Sequence, residues 1–201
     1  MHHLIIDYFA QLVVLTQAEK KAIQATFHPQ LIKRKQCLLV EGQICDFVAF
    51  ICSGVVRHYH VKDGNEITCD ISLPNSFITN YKSFSQDIPS TYYFQALKET
   101  NLLVINKKDL MTLCNTHKNI ETFGRLMAEK VAQRTVDIAM SLASDKPEER
   151  VTKLLQQQAE LFQLVPQRYL ANLLGITPES LSRIRARTIN RHKNLNNNQQ
   201  I

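Results

Sequence analysis

The sequence predicts an α+β protein, in which an antiparallel β sandwich or barrel, called the β-roll below, is flanked by helices and precedes a long helix and a C-terminal helix-turn-helix. Three observations predict it. Apolar residues recur with period two between Leu31 and Asn106, they recur with the helical period on either side of this stretch, and a glycine separates two helical patterns near the C-terminus. We expect three parts: 1–118 for the β-roll domain, 119–143 for the long helix, and 144–201 for the helix-turn-helix domain with a polar tail.

The N-terminal segment predicts helices that precede the roll. Thr16 and Glu19 have the spacing of a capping box, in which each side chain accepts a hydrogen bond from the other residue's backbone N–H. Ile23 and Phe27 extend one apolar face, and Pro29 ends the helix.

Short strands with regular turns follow, which is typical of an antiparallel sandwich or barrel. Asp63-Gly64 predicts a two-residue hairpin turn, because these residues accept positive φ angles. In the strand after this turn, alternation predicts that one face carries Ile67, Cys69, Ile71 and Leu73.

A segment of about six turns without proline predicts the long helix, from Asn119 to Leu142. Its apolar residues, spaced as in a coiled coil, are Ile120, Phe123, Met127, Val131, Ile138 and Leu142. This stripe fits a helix that lies on its own β domain, and it also fits a dimer seam. One long helix can serve both purposes. The segment from Ser144 to Pro147 predicts the hinge that ends it.

Three further helices are predicted beyond Pro147: 148–164, 166–174, and one that starts at Thr177. The start is well specified, because Thr177 is a good N-cap and Pro178 stands where a missing backbone N–H costs nothing. A helix-turn-helix needs a small residue where its helices touch, a glycine in the turn, and apolar residues on the inner face of the second helix. Ala171, Gly175, Leu181 and Ile184 fit these positions.

The net charge of +6 is concentrated at this end of the chain. Residues 161–201 carry Arg168, Arg183, Arg185, Arg187, Arg191 and Lys193 against Glu179 alone. A basic end on a nearly neutral body is typical of nucleic-acid binding. We therefore expect the outer face of the last helix to contact DNA, through Thr177, Glu179, Ser180, Ser182, Arg183, Arg185 and Arg187. The alternative is an ordinary three-helix bundle with a solvated polar face.

Composition excludes several other classes. The five glycines are too scattered for a loop that cradles phosphates, which excludes Walker-type and dinucleotide-fold enzymes. The five cysteines form no CxxC pair, so we expect small buried side chains in a reducing cytosol rather than a zinc or iron–sulfur site. The sequence has neither a signal-peptide pattern nor a membrane-length apolar run, and we expect a cytoplasmic protein that contacts no membrane.

Across nearly its whole length the chain resembles the Crp/Fnr superfamily of bacterial transcription regulators. The matching residues are 40–42, 50–54 and 63–67 in the roll, and above all the segment LANLLGITPESLSRIR at 170–185. The resemblance implies that the roll is an antiparallel β-roll of the jelly-roll type, like a cyclic nucleotide-binding domain, and that Glu179 and Arg183 read bases. It also implies a homodimer joined along the long helix on palindromic double-stranded DNA, with half-sites about one turn apart. RNA polymerase is a further candidate partner.

The sequence departs from that family at the cyclic-nucleotide pocket. No arginine lies between Arg57 and Arg125, so the guanidinium that would hold the cyclic phosphate is missing. Ser90, Thr91 and Thr135 are the residues we assign to an effector pocket. We expect no metal and no cofactor, an effector of unknown identity, and no useful affinity for cyclic AMP.

The sequence also lacks the β-hairpin wing that the family usually places after the recognition helix. A basic stretch stands there instead and leads into a polar run that begins at Asn194. We expect the polar run to be disordered. We expect this basic tail to supply the phosphate contacts of the missing wing.

A rival hypothesis is a cupin-like metal-dependent enzyme. His58, His60 and Glu66 resemble half of a cupin metal motif. The gap before Glu66 is longer than in cupins, however, and no third histidine matches downstream, so we expect both histidines on the outer face of an exposed hairpin. Because no nucleophile and base have a recognisable arrangement, we assign no catalytic residues and expect that the protein is not an enzyme.

Overall fold

The structure is a computed structural model that describes residues 1–197, with the side chains of residues 1–188. Its packing divides the chain into two compact units, Met1–Ala132 and a second that begins at Gln133. The division lies inside the long helix. The three-part domain organisation expected from the sequence stays a prediction.

The first unit is a two-sheet antiparallel roll with helices before and after it, which confirms the predicted fold class. The helices are α1 (His2–Ala10), α2 (Gln17–Thr26), α3 (Tyr81–Gln86) and α4 (Lys107–Thr116). The strands are β1 (His28–Ile32), β2 (Cys37–Leu39), β3 (Phe47–Ser53), β4 (Val56–Lys62), β5 (Asn65–Ser72), β6 (Ser76–Ile78), β7 (Tyr93–Ala96) and β8 (Thr100–Asn106). One sheet has the order β1-β8-β3-β6 and the other β2-β7-β4-β5, with all neighbours antiparallel.

The predicted capping box and the predicted hairpin turn of the first unit are both confirmed. Thr16 and Glu19 form the capping box of α2. Asp63 and Gly64 have φ angles of 52° and 75° and connect β4 to β5 in a hairpin.

The alternation expected for residues 67–73 is wrong. Cys69 is the extra residue of a β-bulge, since its neighbours Thr68 and Asp70 pair with consecutive residues of β4. An extra residue shifts the alternation by one position, so the side chains on its two sides exchange faces of the sheet. As a result, Ile67 and Ile71 lie on opposite faces of the sheet, and buried Thr68 shares a face with Ile71.

Two apolar clusters hold the first unit together. One lies between the two sheets and includes Phe94 and Leu102. The other packs α1, α2, α4 and the start of α5 (Lys118–Ser144) against strands β3 and β8. In it the rings of Phe9 and Phe123 stack with centroids 3.7 Å apart. The first turns of the long helix are therefore anchored on the roll, while farther along it Val131, Ile138 and Leu142 are exposed.

The second unit is helical throughout its described part: α6 (Pro147–Gln157), α7 (Leu161–Leu164), α8 (Gln167–Leu173) and α9 (Pro178–Asn197). Two expectations are corrected. The helix expected over 148–164 is broken after Gln157, where Gln158 leaves the helical conformation. The disorder expected from Asn194 is wrong for 194–197, because α9 continues to Asn197; residues 198–201 lie outside the described part of the chain.

The five cysteines are free, with Cys45 and Cys52 buried and the other three half-buried. Among the helices of residues 1–197, none is long and apolar enough to cross a membrane.

Candidate nucleic-acid interface

The site is built on the contact between α8 and α9. Ala171 is fully buried, and its small side chain lets the two helices approach. Leu181 and Ile184 on α9 are buried as well, at 0% and 5% exposure. With Leu170 and Leu174 they fix which face of α9 points inward, so the opposite face points into solvent.

The turn between these helices depends on Gly175, whose φ is +66°. That left-handed conformation favours glycine. The backbone N–H of Ile176 donates to the Ala171 carbonyl oxygen at 2.9 Å, closing the end of α8. Arg150 of α6 holds the same turn, because its Nε donates to the Leu174 carbonyl oxygen at 3.1 Å.

The first turn of α9 is capped as expected. The backbone N–H of Ser180 donates to Thr177 Oγ1 at 3.2 Å. The start of α8 is tied to the same place, since Gln167 Nε2 donates to the Pro178 carbonyl oxygen at 2.8 Å. The orientation of the exposed face of α9 is thus fixed at its N-terminal end.

The side chains expected to contact DNA divide into two groups by burial. Thr177, Glu179, Ser182, Arg183 and Arg187 are exposed, whereas Ser180 and Arg185 are half-buried. The Arg185 guanidinium carbon lies 4.9 Å from the ring centroid of Phe162, a cation–π contact. Arg185 therefore sits at the edge of the exposed face, and Arg183 lies nearer its middle.

The charges of this face are ordered by short contacts. The pKa of Glu179 is lowered, because its own backbone N–H and the Thr177 side chain donate to the carboxylate and Arg183 lies nearby. Arg183 Nη2 in turn donates to Ser180 Oγ at 3.3 Å. At neutral pH the face therefore presents an ionised acceptor and a guanidinium one helical turn apart.

Sequence reasoning missed two residues that shape this face. Arg150 fixes the turn, and Glu148 makes an ion pair with Arg187. Arg168, which the sequence analysis placed in the basic end, lies over the ring of Tyr169 with its guanidinium carbon 4.7 Å from the centroid. The partners of Arg150 and Glu148 lie 24 and 39 residues away along the chain, so no local pattern could have shown them.

The three residues assigned to the effector pocket are in different environments. Ser90 is buried, and its hydroxyl accepts a hydrogen bond from Asn80 Nδ2 at 2.7 Å and donates to the Tyr92 carbonyl oxygen at 3.0 Å. Thr91, beside it, is exposed. Thr135 is exposed on the part of α5 that belongs to the second unit.

The cupin hypothesis has no support in this geometry. The expectation that His58 and His60 face outward is wrong. Both share the inner face of the sheet with Phe94, whose ring centroid lies 4.2 Å from that of His58. Alternation with Arg57 was misleading because Arg57 itself is buried. Glu66 lies on the opposite face and binds Arg57, with its Oε2 2.5 Å from Nη1. Among the described side chains, those of residues 1–188, no three His, Cys, Asp or Glu come together as metal ligands.

Comparison with known proteins agrees with the fold. Residues 29–117 match the family model of the cyclic nucleotide-binding domain. No curated protein sequence gives a significant match to the chain.

Three solved structures are similar over both units. FixK2 of Bradyrhizobium japonicum is 17% identical with a TM-score of 0.70, covering 83% of this chain and 86% of its own. The c-di-GMP-responsive global regulator CLP of Xanthomonas campestris is 16% identical with a TM-score of 0.69, covering 88% and 93%. The catabolite activator protein of Thermus thermophilus is 19% identical with a TM-score of 0.53, covering 89% and 85%. The resemblance to Crp/Fnr regulators is thereby confirmed at the level of the fold.

Proposed function

We propose that this chain, which has the fold of the Crp/Fnr regulators, is a homodimeric transcription regulator that binds a palindromic DNA site. The observation that carries the proposal is the exposed face of α9, where Glu179, Ser182 and Arg183 stand on a helix whose inner face and first turn are fixed. A rigid helix that presents such groups at its N-terminal end matches the way a recognition helix enters the major groove.

The roles of the side chains follow from their hydrogen-bonding groups. Arg183 reads guanine through O6 and N7, because its guanidinium can donate to both. The Glu179 carboxylate, ionised at neutral pH like any exposed glutamate, accepts from the amino group of cytosine. Thr177, Ser180 and Ser182 contact base edges or phosphates. Arg185, Arg187 and the basic stretch beyond them contact phosphates in place of a wing.

The dimer forms along α5. Val131, Ile138 and Leu142 are 51%, 39% and 52% exposed, at steps of seven and four residues that place them on one face. A second copy of the same helix would cover this stripe and set two recognition helices on two half-sites. Such a regulator acts in the cytoplasm, where its DNA lies, and RNA polymerase remains a candidate partner.

The roll acts as the effector domain, with an unidentified ligand that is not cyclic AMP. Arg57 cannot serve as a phosphate ligand in place of the missing arginine, because it is 1% exposed and paired with Glu66. The pocket assignment to Ser90, Thr91 and Thr135 belongs to this proposal. Calorimetry should detect no cyclic AMP binding, and a dissociation constant in the micromolar range or below would refute this part.

Selection from a pool of randomised duplexes tests the DNA-binding proposal. The wild-type chain should select a palindrome with two half-sites about one helical turn apart. Arg183→Ala should lose preference at one base position in each half-site, at about 1–3 kcal/mol per position. The matched control is Arg125→Ala, which removes an exposed arginine of α5 and should leave the selected sequence unchanged. Salt-sensitive binding without sequence preference would overturn the proposal.

A further inference from the structure

One carboxylate lies against the face assigned to DNA. Glu148, in the first turn of α6, approaches Arg187 of α9, with its Oε1 3.1 Å from Nη1. Both side chains are largely exposed, at 56% for Glu148 and 61% for Arg187. The pair is therefore open to solvent and to an approaching ligand.

The pair forms part of a groove in the second unit. The groove has a volume of about 460 Å³ and lies between the start of α6 and the side of α9 that carries Ser180, Ile184 and Arg187. Its polar lining consists of Ser180, Arg183 and Arg187, with Glu148 facing them. A hydroxyl and two guanidinium groups are a typical environment for a phosphate oxygen, and here the oxygen beside Arg187 comes from the protein itself.

We propose that Glu148 is an intramolecular competitor of DNA, whose carboxylate occupies the position on Arg187 that a backbone phosphate takes in the complex; this rests on the proposed function. A carboxylate and a phosphate make the same charge-assisted hydrogen bonds to a guanidinium, and two like charges cannot share one donor without repulsion. DNA binding therefore displaces Glu148 from Arg187. Because phosphate contacts carry no sequence information, Glu148 lowers affinity for every duplex without changing base preference.

The size of the effect follows from the exposure of the pair. Removing the carboxylate should tighten binding about two- to five-fold, the range that corresponds to an exposed ion pair. It should also make the dependence of affinity on salt steeper, by up to about one phosphate contact, because Arg187 then binds a phosphate without a competing charge. The gain should accordingly be larger at about 50 mM salt than at about 200 mM.

The test compares Glu148→Gln with the wild-type full chain on two probes, the palindrome selected by the wild type and a scrambled duplex of equal length. Glu148→Gln should bind both more tightly, by the same factor. Glu160→Gln, which removes one exposed negative charge elsewhere in the second unit, is the matched control and should have a smaller effect. In an Arg187→Ala background, Glu148→Gln should tighten binding no more than Glu160→Gln does, and circular dichroism confirms that each variant is folded.

Two results would overturn the inference while the proposed function stands: equal effects of Glu148→Gln and Glu160→Gln, or a gain that persists without Arg187. If the wild type selects no sequence at all, the proposed function fails and the inference fails with it. The two failures are therefore distinguishable in one experiment.

Discussion

The Nε atom of Arg150 donates a hydrogen bond to the carbonyl oxygen of Leu174, which ends helix α8. Carbonyl groups at a helix C-terminus have no partner inside the helix, so this side chain supplies what the helix cannot. The same guanidinium donates from Nη1 to the Asp145 carbonyl oxygen at 2.7 Å. Arg150 thus holds the segment before α6 and the helix-turn-helix turn in one fixed arrangement.

Arg150→Lys should loosen this turn, because an ammonium group lacks the planar fork that reaches both carbonyls. We expect the free energy of unfolding to fall by about 1–3 kcal/mol. Amide hydrogen exchange at Ile176, whose N–H is bonded within the turn, should become faster. Arg125→Lys, at an exposed position of α5, serves as the control. Unchanged exchange at Ile176 would show that the turn does not need Arg150.

Gly175 and Gly124 should respond in opposite directions to substitution by alanine. A Cβ at Gly175 would meet no closer atom than Arg150 Nη2 at 3.9 Å, so its cost comes from the positive φ and amounts to about 1–2 kcal/mol. Gly124 lies in α5, and a Cβ there would meet nothing within 4 Å. Gly124→Ala should therefore raise the free energy of unfolding by about 1 kcal/mol through helix propensity. Urea unfolding measures both.

Gly124→Ala also tests whether the dimer seam includes this part of α5. If Gly124→Ala is stable but weakens self-association, then a second copy approaches the helix at this glycine. If it strengthens folding and leaves association unchanged, Gly124 has no role in the seam.

Features determined by neighbours in sequence could be predicted, and those determined across the fold could not. The capping box of Thr16 and Glu19 and the cap of α9 at Thr177 depend on residues three apart, and both form. The turn at Gly175 depends on a local φ requirement and also forms. In these three cases the physical cause lies within about one turn of chain, and the sequence pattern was sufficient to predict the feature.

Arg57 shows why the sequence did not predict which side chains of β4 and β5 face inward. A basic residue inside an alternating strand predicts an exposed position, yet Arg57 is buried. Its Nε donates to Thr68 Oγ1 at 2.8 Å, and its guanidinium pairs with Glu66 from the neighbouring strand. Which β5 residues face Arg57 depends on the bulge at Cys69, and no residue type in that segment announces a bulge. The inward histidines were missed for the same reason.

Glu19 joins α2 to the start of the long helix, and its removal should weaken the first unit. The side chain is buried, and its Oε2 accepts hydrogen bonds from the Thr16 backbone N–H at 2.8 Å and from Asn119 Nδ2 at 3.1 Å. Burial alone would raise the pKa of Glu19, but hydrogen bonds from Thr16 and Asn119 outweigh it and lower the pKa. We expect Glu19→Gln to cost about 1–3 kcal/mol of unfolding free energy at pH 7.

The pH dependence of that cost follows from the direction of the shift. The carboxyl binds protons less readily in the folded state than in the unfolded state, so its stabilisation is complete above the ordinary value of 4.5 and is lost as the pH falls through the lower, folded pKa. Urea unfolding from pH 7 down to pH 3 should show the gap between wild type and Glu19→Gln closing below about pH 4.5. Glu121→Gln, which removes an exposed carboxylate from the first turn of α5, is the control and should lower the free energy of unfolding at pH 7 by less than Glu19→Gln does.

Ile138 tests the dimer seam most directly, because it lies midway along the exposed stripe of α5 between Val131 and Leu142. A carboxylate in an apolar seam must lose its water without gaining a partner, which costs several kcal/mol. Ile138→Glu should therefore raise the dimer dissociation constant by about 100-fold or more, measured by sedimentation equilibrium. Gln156→Glu introduces the same charge at an exposed position of α6 and should leave the dimer intact. Because each half-site is then bound separately, Ile138→Glu should also lose most of its affinity for the palindrome while keeping its preference within one half-site.

A wild-type chain that is monomeric at micromolar concentration, or an Ile138→Glu chain that remains dimeric, would show that the stripe is not the seam.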